Sequence, residues 1–86
     1  MTELLRAHLR KGISMASEHD HLAQAIRHIA RAEDMVAKQR GLIERIAEHG
    51  HDTKLAEALL HTMQNTLDQM HEHRRMIDAA ITAGRP

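Results

Sequence analysis

The chain has 86 residues, twelve Lys and Arg against twelve Asp and Glu, no Cys, and no Phe, Tyr or Trp. A chain of this length holds one domain, 1–86, and its zero formal charge gives no general attraction to nucleic acid or an anionic membrane. Without thiols there are no disulfides and no thiolate chemistry; without aromatics the core must come from Leu, Ile, Val, Met and Ala, which are compatible with helix.

The expected class is therefore all-α. No apolar run approaches the roughly 18–20 residues of a membrane span, and the first residues lack the apolar core of a secretory signal. A cytoplasmic location and no membrane association are the expectation. Nine histidines are the oddity of the composition: His8, His19, His21, His28, His49, His51, His61, His71 and His73. Unperturbed imidazole titrates near pH ~6.5, so the chain gains positive charge in mild acid.

Residues 1–12 form an N-terminal segment. Thr2 is placed to cap a short helix in which Leu4, Leu5, His8 and Leu9 share a face, and Gly12 weakens that helix. Ten residues are marginal as an isolated helix in water. The segment docks, frays, or continues with a kink into the next helix; the pattern does not choose among these.

A long helix is expected over 14–49, opening near Ser14 or Ser17. Met15, Leu22, Ile29, Val36 and Ile43 recur every seven residues, at positions labelled a. Glu18, Ala25, Ala32, Gln39 and Ile46 follow at d, and Ile26, Glu33, Arg40 and Ala47 at e. Met35 and Leu42 flank the seam on its other side. A strict heptad over this length argues a left-handed bundle seam. Gly41 falls on the outer face.

Glu48-His49-Gly50-His51-Asp52-Thr53 is the strong break in the pattern. Gly50 takes the left-handed conformation that ends a helix without steric cost. Asp52, or alternatively Thr53, caps the next helix. That helix is expected over 53–83, with Leu60, Leu67, Arg74 and Ile81 at a, and Ala56, Met63, Met70 and Ile77 at d. Leu55 and Leu59 widen the stripe near the turn, and Gly84 is the stop signal.

The chain should thus form an antiparallel helical hairpin. In it Ile43 lies level with Leu60, Val36 with Leu67, Ile29 with Arg74, and Leu22 with Ile81. Glu33 and Arg74 interrupt the stripes and are expected to pair as a buried ionic layer, a device that fixes register at some cost in stability. The apolar stripes are wider than one hairpin covers. Two hairpins are therefore expected to associate as a homodimeric four-helix bundle, with a monomer carrying a third helix, or a higher oligomer, as rivals. The expected interface residues are Met15, Leu22, Ile26, Ile29, Val36, Ile43, Leu59, Leu60, Met63, Leu67, Met70, Ile77 and Ile81.

Chemistry finds little to rest on. The pairs His19/His21 and His71/His73 are two apart, which on a helix turns the rings about 200° from each other. His49 and His51, at the turn, escape that objection and are the weak metal candidates; solvated turn side chains are the simpler reading. Glu18-x-x-His21 and Asp68-x-x-His71 have the spacing of di-metal bundle ligands, but the hairpin register keeps them apart. His71-Glu72-His73-Arg74-Arg75 suits an anion or a docking patch, but an ordinary charged helix face is the simpler reading. The methionines on seam positions are accounted for by packing. No nucleophile motif or Gly-rich phosphate loop is present, and stacking aromatics for nucleic acid are missing.

The stretch from His28 to Arg75 resembles a group of small helical proteins, mostly alphaproteobacterial, that share a Gly-His-Asp-Thr turn. The residues that carry the likeness are His28-Ile29-Ala30-Arg31, Gln39-Arg40, Leu42-Ile43, Gly50-His51-Asp52-Thr53, Ala56-Glu57, Leu59-Leu60, Thr66-Leu67, His71 and His73-Arg74. The resemblance implies a bacterial source and no mechanism. The expected function is a non-enzymatic interaction or adaptor protein acting as a homodimer, without cofactor or nucleic acid and with a further protein partner left open. The alternative is a histidine-based metal-binding or pH-responsive helical protein.

Overall fold

The computed structural model describes the backbone of residues 2–84 and the side chains of residues 18–84. Two helices carry it: α1, Thr2–Glu48, of 47 residues, and α2, Lys54–Ala83, of 30. They lie against each other as the expected hairpin, and no strand occurs among the described residues. Among these residues, too, no helix is long and apolar enough to cross a membrane.

The span of α1 begins at Thr2, and the expectation of a short N-terminal helix over 1–12 lies outside the residues whose side chains are described. The expectations for Thr2, Leu4, Leu5, His8, Leu9 and Met15 concern side chains outside the described residues.

The turn is built by local hydrogen bonds. Gly50 has φ +72°, in the left-handed region. Its N–H donates to the Ala47 carbonyl at 2.9 Å, and the His51 N–H donates to the Ile46 carbonyl at 3.1 Å. This pair of bonds is the Schellman arrangement, which satisfies carbonyls that a helix end otherwise leaves free. On the far side, Thr53 is the N-cap of α2 and makes no side-chain cap bond; the Lys54 N–H is satisfied instead by Asp52 Oδ1 at 3.0 Å. The Thr53 hydroxyl donates to Glu57 Oε2 at 3.1 Å.

The heptad seam forms the contact between the helices. Ile29 and Val36 are 4% and 5% exposed, and Ala25 is buried beside them. No residue of α2 is fully buried; its seam residues Ala56, Leu60, Met63, Leu67, Met70, Ile77 and Ile81 are half-buried, as are Leu22, Ala32, Ile43 and Ile46 of α1. Gln39 is the buried polar residue of the seam. Its Nε2–H donates across to the Ala56 carbonyl at 2.9 Å.

Two rods side by side make a thin molecule. The radius of gyration is 19.4 Å, against about 12 Å for a globule of this length. The accessible surface is 7250 Å², against about 5,200 Å² for a compact monomer of this mass.

Two glycine substitutions are expected to move stability in opposite directions. A Cβ at Gly41 or at Gly50 meets nothing within 4 Å, so only backbone preference counts. Gly41→Ala, inside α1, should raise the unfolding free energy by about 1 kcal/mol. Gly50→Ala should lower it by about 1 kcal/mol, because alanine is strained at positive φ. Urea unfolding followed by circular dichroism reads both.

Candidate functional site

A two-helix seam leaves two flanks, and here they are unlike. On one flank, the positions just before each a residue and the next row outward hold Leu42, Leu55, Leu59 and Thr62. These line an open groove together with Gln39, Ile46, Asp52, Ala56 and Ala58. Further from the turn the same flank carries Met35 and Thr66, with Ala32, Met63 and Met70 at its floor. At the open end of the hairpin it becomes polar, where His21, Gln24, Ala25, His28 and His73 line one cleft.

This flank exposes several large apolar side chains, while Ile26, in the row of Glu33 and Arg40, is exposed on the other side of the seam. Leu55 is 87% exposed, Met35 53%, Leu59 52% and Leu42 39%. Their exposure follows from geometry. Each helix has a single neighbour, so only a narrow stripe about the a and d positions is covered.

The opposite flank is lined by Glu33, Ala37, Arg40, His61, Gln64, Asn65 and Asp68, with Val36 and Leu67 beneath. It is a solvated polar surface. Nearby, Lys38 and Asp34 pair at 2.9 Å on the outer face of α1, both well exposed.

Most of the residues expected at an interface between subunits turn out to serve the hairpin itself. Ile29 and Val36 are buried in it, and Leu22, Ile43, Leu60, Met63, Leu67, Met70, Ile77 and Ile81 are half-buried along its seam. Ile26, at 42%, and Leu59 remain exposed. Met35, Leu42 and Leu55 complete the apolar flank although they stood outside the expected set. The sequence signal for them was present, in the Leu55/Leu59 step of four and the Met35/Leu42 step of seven.

The ionic layer expected at Glu33 and Arg74 is corrected. Glu33 is exposed and shares the polar flank with Asp68. That places it almost two turns from Arg74 along the rod. Arg74 instead turns to Asp78 one turn further along α2, Nε to Oδ2 at 3.8 Å, with both side chains partly exposed. A carboxylate on the same helix reaches the guanidinium without crossing the seam.

The weak metal candidates are also resolved in part. His49 donates its Nδ1–H to the Arg45 carbonyl at 2.7 Å and so helps close the C-terminus of α1. The acceptor being a carbonyl, the proton must sit on Nδ1. His51 is exposed in the turn. Among the described residues, no three His, Cys, Asp or Glu side chains are grouped so as to hold a metal ion. That His28 and His73 line one cleft is not anticipated from the sequence, where the cross-helix comparison is of the His21 and His71 sites.

No protein-family model, curated protein or solved structure matches this chain.

Arg74 offers a test of the seam. Its half-buried a position suits an apolar side chain, and an exposed ion pair one turn away contributes only about 0.3–0.5 kcal/mol. Arg74→Leu should raise the unfolding free energy by roughly 1 kcal/mol through added apolar burial. A higher midpoint in urea checks it, and a lower one counts against this account of the seam.

Proposed function

We propose that this protein is a non-enzymatic interaction module: a helical hairpin that pairs with a second copy of itself as a four-helix bundle and offers its polar flanks to a further protein. The observation that supports this reading is the surplus of surface. The hairpin exposes 7250 Å², about 2,000 Å² above a compact monomer of its mass. Part of that surplus is apolar, in large side chains gathered on one flank. Exposed apolar patches of more than a few hundred Å² mark interaction sites in soluble proteins, and this flank is read as part of such a surface.

Association also answers a difficulty of stability. Ordering the backbone costs about 1–2 kcal/mol per residue, and three buried apolar side chains, Ala25, Ile29 and Val36, return little of it. Small helical chains commonly meet that deficit by oligomerising. Light scattering coupled to gel filtration at micromolar concentration should return twice the chain mass. A compact monomer under those conditions refutes the homodimer.

A second reading, a histidine-based metal-binding or pH-responsive protein, draws on His28 of α1 and His73 of α2, which line one cleft at the open end; it is a two-imidazole reading, since no group of three metal-ligating side chains occurs among the described residues. Imidazoles from two helices would clamp the rod across its seam. On this reading one equivalent of zinc or nickel raises the melting temperature by several degrees, and the rise vanishes in His28→Ala and His73→Ala. An unchanged melting temperature removes the reading.

A further inference from the structure

We propose that the second copy seats on the flank that carries Met35, Leu42, Leu55 and Leu59, so that the bundle closes over this surface and leaves the Glu33–Arg40–Asp68 flank in water. The assignment rests on the homodimer reading and specifies the surface that dimer uses.

Charge separates the two flanks. A two-fold interface places a patch against the same patch of its twin. A charged residue near the axis then meets its own like charge, which is destabilising in a desolvated contact. The apolar flank is suited to meet itself. Along both of its apolar grooves the formally charged lining residue is Asp52, which lies at the edge beside the turn and is already bonded to the Lys54 N–H. The other flank sets Glu33, Arg40 and Asp68 along its cleft, and pairing it with itself would bury all three.

Area does not choose between the flanks, but it fits a second hairpin as the occupant. The overlap of the helices is set by α2, whose 30 residues span about 45 Å. Two helices packed about 10 Å apart present a face about 20 Å wide. Their product, roughly 900 Å², matches the roughly 800 Å² per partner of a stable interface. A contact confined to half of the face falls well short of that figure. A second hairpin of the same length and width covers the whole of it.

The apolar residues on this flank are also dispensable to the hairpin. Leu55, at 87% exposure, and Leu59, at 52%, contribute little to the seam. Leu55 stands in the first turn of α2, where a carboxylate interacts favourably with the helix dipole. Leu55→Glu therefore suits the isolated hairpin and harms the proposed interface, which separates the two effects.

Sedimentation equilibrium of the full chain and of Leu55→Glu, Leu59→Glu and Asn65→Glu tests the assignment, with circular dichroism reporting helix content. Leu55→Glu and Leu59→Glu should weaken dimerisation about 100-fold, as hot-spot losses do, with helix content kept in Leu55→Glu. Asn65→Glu, on the polar flank, should leave the dissociation constant within about threefold. If the unsubstituted chain sediments as a monomer, the homodimer reading falls and this assignment with it. If it is a dimer that tolerates both leucine substitutions, or that Asn65→Glu dissociates, this surface is overturned while the homodimer reading stands.

Discussion

A helix with one neighbour can hide only one stripe of itself. That constraint governs this molecule. α1 and α2 have each other among the described residues and nothing more, so only Ala25, Ile29, Val36 and Gln39 of α1 are buried among them, and no residue of α2 is. The rest of the apolar surface lies half-covered along the seam or open on one flank. In a three- or four-helix arrangement the same stripes would be enclosed from both sides. The width of the stripe, rather than any single residue, leaves apolar surface uncovered on the hairpin.

Within the hairpin, two kinds of interaction share the work. Apolar side chains at a and d bring the helices together but are indifferent to a slip of one whole heptad, because a seven-residue repeat matches itself there. Gln39 is not indifferent. Its amide reaches the Ala56 carbonyl, and a slipped register would bury that amide without a partner at a cost of about 1–3 kcal/mol. The turn adds a second constraint on register, since the Schellman bonds and the Asp52 bond fix how many residues separate the helices.

The fold was legible where the chemistry is local. Gly50 and Asp52 announce the turn through conformational freedom and hydrogen-bonding geometry, which need no knowledge of the rest of the chain. The heptad of Leu22, Ile29, Val36 and Ile43 announces the seam. What did not follow from the sequence depends on how one helix is rotated against the other. Ala25 and Ile26 are neighbours, yet the small residue is buried and the large one stands 42% exposed. Glu33 and Arg74 looked like partners when layers were counted, but a difference of a few residues along the rod left Arg74 to Asp78. The exposed flank was half legible: its leucines and methionines were noticed as widening the stripe, and their separation from the seam became clear only with both helices in place.

The hydrogen bonds that tie the two halves of the chain are gathered at one end. The Gly50 and His51 bonds, the Asp52 bond and the Gln39 link to Ala56 all lie within a few turns of the bend, while the far end holds polar imidazoles and half-covered isoleucines. Contacts in such a hairpin are nested, each closing a loop only slightly larger than the one before it. Assembly from the bend outward then adds contacts at little extra entropic cost, which favours rapid folding. Local opening runs in the reverse direction, so that backbone amides near the free ends exchange with solvent long before those beside the bend. The rod behaves like a zipper whose slider rests at Gly50.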